Sequence, residues 1–238
     1  MESKTNFNYS QTSQPEQAAL AKTFMANVFS WMFLALTITG FTAYAFAHNL
    51  QLMQMLITET GPTPLMYIAI FSPFAFVLLM SFGFERMSLP VMMVLFLLFA
   101  FMMGISMFVI FLVYTEAFIV QTFFITAGAF AGMAVLGYTT NTDLTKMASI
   151  LYMALFGVII ATVVMAFTGG STFLIDLACV VIFTGLTAYK VQMLKNLSAQ
   201  ASLDTVQGKK IALWGAFSLY LTFINLFMTL LRLFGNKR

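Results

Sequence analysis

The sequence predicts an all-α membrane protein with six transmembrane helices around a central seventh, which either spans the bilayer or re-enters it. Of the 238 residues, 61% are hydrophobic and 8% are charged, and the mean hydropathy is +0.94. Soluble domains carry about 25% charged residues, so this composition excludes an ordinary soluble domain. The apolar residues fall into seven runs, each close to the roughly 20 residues that a helix needs to cross a bilayer.

The central helix is predicted at 211–234, because its polar and small residues share one face. This polar stripe recurs at steps of three and four residues: Gly215, Ser218, Thr222, Asn225, Thr229 and Arg232. An unpaired amide in hydrocarbon costs several kcal/mol, so we expect the stripe to face a bundle of the other helices. It either holds helices together or also lines a functional cavity, and the sequence leaves both interpretations open.

The remaining elements follow in chain order. Residues 1–23 are polar and predict a flexible cytoplasmic tail, before a single helical transmembrane domain over 24–234 and a short basic tail over 235–238. Apolar runs predict the first six helices at 24–46, 65–82, 90–113, 117–138, 147–167 and 173–189. Gly128 and Gly132 form a GxxxG pair in the fourth helix, and with Gly215 they are expected to lie where helices pack closely.

Several functional classes are disfavoured by what the chain lacks. The single histidine, His48, and the single cysteine, Cys179, cannot by themselves form the usual zinc, haem or iron–sulfur sites, so no metal or cofactor is expected. The net charge of +3 lies in loops and tails with no basic block, which excludes a nucleic-acid partner. There is no GxSxG motif and no pair of acids deep in facing helices, so we do not expect an enzyme.

The loop charges predict the orientation. Eight Lys and Arg residues fall in the N-terminal tail and in the turns after the second, fourth and sixth helices, and none falls in the other three turns. They are Lys4, Lys22, Arg86, Lys146, Lys190, Lys195, Lys209 and Lys210. Because positive charges concentrate on the cytoplasmic side, the N-terminus is expected there. The exceptions are Arg232, Lys237 and Arg238, which would lie on the outer side if the last helix spans the membrane.

Five stretches resemble motifs of the Bax inhibitor-1 family, which includes the YccA-like bacterial proteins. They follow the family's order and spacing: GISMFVIFLVYT (104–115), TFFITAGAFAGMAVLGYTT (122–140), DLTK (143–146), IFTGLTAYKVQ (182–192) and GAFSLYLTFINLFMTLLRLFG (215–235). The resemblance implies six helices around a seventh, in the inner (cytoplasmic) membrane of the cell. It also implies a pH-sensitive calcium leak, suppression of cell death in eukaryotes, or partnership with a membrane-bound AAA protease in bacteria.

The resemblance further implies a sensor built from two aspartates, at positions that are Lys190 and Thr222 here. Two close carboxylates share a proton and attract a divalent cation, whereas a lysine and a threonine do neither. We therefore expect the calcium leak to be altered or lost. Arg86 matches a basic residue that some members pair with the aspartates, and Glu85 is its expected partner here. The alternative function is a non-conducting adaptor or modulator of an AAA protease, engaged through the N-terminal tail.

Lys190 has two interpretations, since it is predicted at the end of the sixth helix. Its side chain either snorkels to the cytoplasmic interface or places its ammonium near Thr222 and Asn225, on the stripe with Ser218, and holds a pore closed. Asp176 is not its expected partner, because 14 residues of helix separate the two by roughly 21 Å.

Overall fold

The computed structural model describes residues 14–59, 61–83, 86–198, 201 and 203–235. Its helices are α1 (Gln14–His48), α2 (Leu50–Leu56), α3 (Pro64–Gly83), α4 (Leu89–Met107), α5 (Val109–Val113), α6 (Glu116–Thr139), α7 (Thr145–Thr168), α8 (Phe173–Ser198) and α9 (Val206–Phe234). Strands β1 (Ile57–Thr58) and β2 (Gly61–Pro62) pair antiparallel between α2 and α3. Within the described ranges, seven segments are long and apolar enough to cross a membrane, and α4 with α5 forms one of them. The predicted class, an all-α membrane protein, is confirmed.

The first helix begins earlier than its apolar run. α1 starts at Gln14, so residues 14–23 are helical, although the sequence analysis assigned them to a flexible tail. The segment has Pro15 in its first turn, where no helical N–H is lost, and continues with Ala, Gln, Leu and Lys, which all favour helix. Because residues 14–23 continue a helix that already packs on the bundle, they can be helical without an apolar face of their own. The rest of the predicted tail, residues 1–13, and residues 236–238 of the basic tail lie outside the described residues.

The sixth crossing helix ends later than predicted. α8 continues nine residues beyond Tyr189, to Ser198, and only residues 199–205 separate it from α9. Val191, Leu194 and Ser198 are buried at steps of three and four, so one face of this polar segment packs on the bundle. Lys190 therefore lies inside a helix rather than at its end.

The last helix occupies the centre of the bundle. In its most apolar stretch 67% of the residues are buried, whereas the corresponding stretch of α7 has none. α9 packs against α1, α4, α6 and α8, while α3 packs mainly on α4 and α7 mainly on α8. Four crossing helices thus adjoin the central one directly, and two lie outside them. α9 is one continuous helix that runs antiparallel to α8 along its length, so the re-entrant alternative does not describe it.

Aromatic side chains fill the contact between α4 and α9. Phe96 and Phe99 meet Phe217 and Tyr220 edge to face, with ring centroids 5.1 to 5.8 Å apart. All four are buried, and edge-to-face pairs add about 0.5–1.5 kcal/mol beyond the area that they bury. This aromatic cluster fixes the central helix against the third crossing.

The predicted close packing at Gly128 and Gly132 is wrong within this chain. Both glycines are exposed, and a Cβ at either would meet nothing within 4 Å. The close approach of α6 occurs instead at Gly137, where a Cβ would overlap the carbonyl oxygen of Ala188 on α8. The GxxxG spacing identified two residues on one face of the helix, but that face points away from the bundle.

Candidate functional site

Lys190 lies inside α8 and reaches α9. Its Nζ donates to Thr222 Oγ1 at 2.7 Å and to the Ser218 carbonyl oxygen at 3.1 Å. The Thr222 hydroxyl donates to the same carbonyl at 2.9 Å, so the three groups form a closed triangle. Thr222 is 1% exposed, and Lys190 is partly buried. This Lys190 site, made of Lys190, Ser218 and Thr222, places a cation against the polar face of the central helix.

A close helix contact one turn away brings the lysine within reach. A Cβ on Gly215 would lie 2.5 Å from Leu194 Cδ2, so the missing side chain lets α8 and α9 approach there. Leu194 is one turn after Lys190, and Gly215 is one turn before Ser218. The ammonium consequently reaches a backbone carbonyl of α9 as well as a side chain.

The Lys190 side chain points toward α9, as in the second interpretation, but only one of its two expected partners is bonded to it. The side chain turns toward the central helix, since both of its hydrogen bonds are to α9. Thr222 is the expected partner, but Asn225 is not one. The Asn225 amide is exposed and donates to the Leu221 carbonyl of its own helix at 2.7 Å.

The polar stripe is therefore not shielded along its whole length. It divides into two rows with seven-residue spacing. One row is buried and the other lies at the rim: Gly215, Thr222 and Thr229 against Ser218, Asn225 and Arg232. Four residues advance a helix by about 400°, so neighbouring rows lie about 40° apart. Asn225 falls on the outer row, where its i−4 carbonyl satisfies part of its amide.

A second polar site, which is an ion pair, lies at the other end of the same two helices. Asp176, at the start of α8, is buried and accepts from Arg232 Nε at 3.0 Å and from the Thr172 hydroxyl at 3.1 Å. This pair was not predicted from the sequence. Its signal is a matched spacing, because Asp176 precedes Lys190 by 14 residues and Arg232 follows Ser218 by 14. Because α8 and α9 are antiparallel, contact between Lys190 and Ser218 places Asp176 beside Arg232 as well.

Arg86 stands apart from these groups. It is exposed, and among the described residues its side chain makes no hydrogen bond or ion pair. Its expected partner, Glu85, lies outside the described residues. Over the described ranges, no group of three or more His, Cys, Asp and Glu side chains is placed to hold a metal ion.

Comparison with known proteins identifies the family. Residues 21–238 match the family described as "Inhibitor of apoptosis-promoting Bax1". The chain belongs to the Bax inhibitor-1 family. The Lys190 site and the Asp176–Arg232 ion pair both lie within the part that matches.

Bacterial relatives share nearly the whole length of this Bax inhibitor-1 family member. The inner membrane protein YbhL of Escherichia coli K12 is 38% identical over 220 residues, which cover 91% of this chain and 93% of YbhL. An uncharacterized protein of Borreliella burgdorferi is 41% identical over 229 residues, covering 95% and 97% of the two chains. An uncharacterized membrane protein of Streptococcus pyogenes is 28% identical over 216 residues, covering 90% and 93%.

Proposed function

We propose that this Bax inhibitor-1 family member is a multi-pass inner-membrane protein whose calcium leak is lost, because Lys190 holds the sensor position closed. The observation that supports this is the 2.7 Å hydrogen bond from Lys190 Nζ to Thr222 Oγ1. These residues stand at the positions where the family resemblance implies two aspartates. In place of two carboxylates that could share a proton or a divalent ion, the chain has an ammonium bonded to a neutral hydroxyl.

Electrostatics opposes calcium at this point. Calcium takes six to eight oxygen ligands, among which carboxylates supply the charge, and the Lys190 site offers one hydroxyl and one carbonyl. At 4 Å and an effective dielectric constant of about 20, two unit charges interact by about 4 kcal/mol. The repulsion between an ammonium and a divalent ion is about twice that. The lysine thus supplies the positive charge that a bound cation would bring.

The distribution of Lys and Arg residues supports a cytoplasmic N-terminus. Without Lys190, which bonds to α9, seven of the eight Lys and Arg residues counted from the sequence still belong to the side expected in the cytoplasm, against none in the opposite turns. Arg232 would lie at the outer end of α9, but its charge is paired with Asp176 there. A paired charge is a weaker objection to this orientation than a free one.

Calcium flux in liposomes of purified protein tests the proposal. We expect liposomes with the wild-type protein to release trapped calcium no faster than protein-free liposomes do. A variant with Lys190→Asp and Thr222→Asp restores two carboxylates at the facing positions and should leak. Strong flux through the wild type would show that Lys190 does not close the protein.

A matched control separates position from charge. Lys209 is an exposed lysine at the start of α9, so Lys209→Asp changes the net charge as Lys190→Asp does without touching the Lys190 site. It should behave as the wild type. If neither the double variant nor the wild type leaks, the closing role of Lys190 is wrong, and the alternative of a non-conducting adaptor is favoured.

A further inference from the structure

A cavity lies on the side of α9 away from the Lys190 site. It has a volume of about 170 Å³ and is bordered by α1, α4, α5, α6 and α9. Its lining is apolar, with side chains such as Leu36, Ala43, Ile119 and Phe223. The hydroxyl of Thr39, which also lines it, lies 2.9 Å from the carbonyl oxygens of Ala35 and Ala100 and 2.7 Å from the Tyr220 hydroxyl.

The chemistry of the cavity favours an apolar occupant. Because Thr39 is fully hydrogen-bonded within the protein, its hydroxyl has no need of a water molecule in the cavity. Apolar cavities of about 150 Å³ stay dry and take apolar molecules. A polar solute would lose its hydration here without gaining hydrogen bonds.

The cavity opens sideways between α1 and α6. Gly40, Val120 and Phe123 line it and are exposed, and a Cβ at Gly40 would meet nothing within 4 Å. All three residues lie within segments that cross the membrane. The opening therefore faces the hydrocarbon of the bilayer, where the surrounding molecules are fatty acyl chains.

A histidine and a glutamate that are hydrogen-bonded to each other lie just beyond the cavity. His48 Nε2 is 2.9 Å from Glu116 Oε1, and the two side chains are 39% and 52% exposed. His48 follows the lining residue Ala43 by five residues, or roughly 7.5 Å along a helix. The Tyr44 ring stacks on His48, and both rings meet the edge of Phe111, which lines the cavity. An apolar cleft with an aromatic and charged rim matches an amphiphile.

We infer that this cleft binds one acyl chain of a membrane phospholipid, whose head group lies beside His48 and Glu116. The chain fills the apolar space that opens at Gly40. A zwitterionic head group carries a phosphate and an ammonium, which complement the imidazole and the carboxylate at the rim. This lipid site is separate from the Lys190 site, so it does not depend on the proposed loss of calcium leak.

Photocrosslinking in nanodiscs tests the inference with the full chain. The nanodiscs contain phosphatidylethanolamine and a small fraction of the same lipid with a diazirine midway along one acyl chain. After illumination, peptide mass spectrometry locates the labelled residues. We expect labelling at Phe111 and Ile119 several-fold above that at Ile160, which is exposed on α7 and meets bulk lipid. Equal labelling of the cavity and of α7 would overturn the inference without any variant.

Substitution of Gly40 provides a second measurement. Gly40→Leu places a side chain in the open space and should reduce labelling at Phe111 by roughly tenfold, which corresponds to about 1.4 kcal/mol of lost binding. Gly157 is an exposed glycine on α7 with nothing within 4 Å of a Cβ, so Gly157→Leu is the matched control and should leave labelling unchanged. Unchanged labelling in a folded Gly40→Leu variant would contradict the site.

A free fatty acid tests whether the phospholipid head group contributes to binding. A free fatty acid with the same diazirine presents a carboxylate without an ammonium to the rim. We expect it to label Phe111 less than the phospholipid does at equal concentration. Equal labelling by the fatty acid would overturn the assignment to a phospholipid.

Discussion

Asp176 and Arg232 join the start of α8 to the end of α9 through a buried carboxylate. Arg232 Nε donates to Asp176 Oδ1 at 3.0 Å, and Nη2 of the same guanidinium lies 2.9 Å from that oxygen. The Asp176 side chain is 5% exposed, whereas that of Arg232 is 48% exposed. The carboxylate thus depends on this pair for charge compensation, while the guanidinium also reaches the surface.

Removal of Arg232 should therefore destabilise the protein more than removal of both charges. An unpaired buried charge costs about 3–5 kcal/mol, and we expect Arg232→Leu to fall near the lower value because the arginine is half-exposed. Adding Asp176→Asn should recover much of this loss. Thermal unfolding in detergent, with Lys209→Leu as the control for losing an exposed cation, measures the difference. Equal stability of the wild type and Arg232→Leu would show that the pair is not needed for the bundle.

At the Lys190 site, in contrast, removal of the positive charge should be tolerated. Lys190→Met replaces the ammonium with an apolar chain of similar length, and Thr222 keeps its hydrogen bond to the Ser218 carbonyl. Stability should change by less than about 1 kcal/mol or increase. Thr222→Val leaves the ammonium with one acceptor and should cost about 1–3 kcal/mol. If Lys190→Met is the more damaging variant in thermal unfolding, the lysine supports the fold rather than closing the site.

Apolar runs predicted the crossing helices, because a backbone in lipid must satisfy its polar groups internally. The periodic polar stripe predicted the central place of α9. The ends of the helices were less predictable. Polar residues after Tyr189 resemble a loop, yet α8 continues to Ser198 because Val191 and Leu194 pack on the bundle. The ends depend on which side chains meet a neighbouring helix, which composition alone does not specify.

The candidate site was predictable in part for a related reason. Thr222 and Ser218 lay on the predicted stripe, and the family resemblance pointed to Lys190. Asn225 was wrongly included, because a stripe read at steps of three and four merges two rows that face different surroundings. The Asp176–Arg232 pair joins residues 56 positions apart, so it follows only after the register of α8 against α9 is known.

The loop between α6 and α7 contains a carboxylate whose stabilisation depends on pH. Asp143 Oδ1 accepts from the hydroxyl and the backbone N–H of Thr145, at 2.6 and 2.9 Å, and these hydrogen bonds lower the pKa of the Asp143 carboxyl. Its stabilisation is present above the unfolded pKa of about 3.9 and is lost as the pH falls through the lower folded value. Asp143→Ala should therefore lower the unfolding temperature at pH 7 and matter less near pH 3.

Asp143→Asn is the matched control for this dependence. It keeps an oxygen that Thr145 can donate to, but it does not titrate. Its difference from Asp143→Ala should stay constant with pH, while the difference between the wild type and Asp143→Ala should shrink on acidification. If both differences in unfolding temperature stay constant with pH, the Asp143 carboxyl does not contribute to the pH dependence of stability.

Gly137 and Gly132 provide the sharpest comparison of the two faces of α6, since both lie in one helix and a single change applies to both. Gly137→Val would drive its Cβ into the Ala188 carbonyl, and because backbone on both sides must move, we expect a loss of about 3 kcal/mol or more. Gly132→Val points into open space and should leave thermal unfolding nearly unchanged. The gain in helix propensity from glycine to valine applies to both variants, so it cancels in the comparison. If Gly132→Val were the more damaging variant, the face with the GxxxG pair would have to contact another molecule rather than lipid.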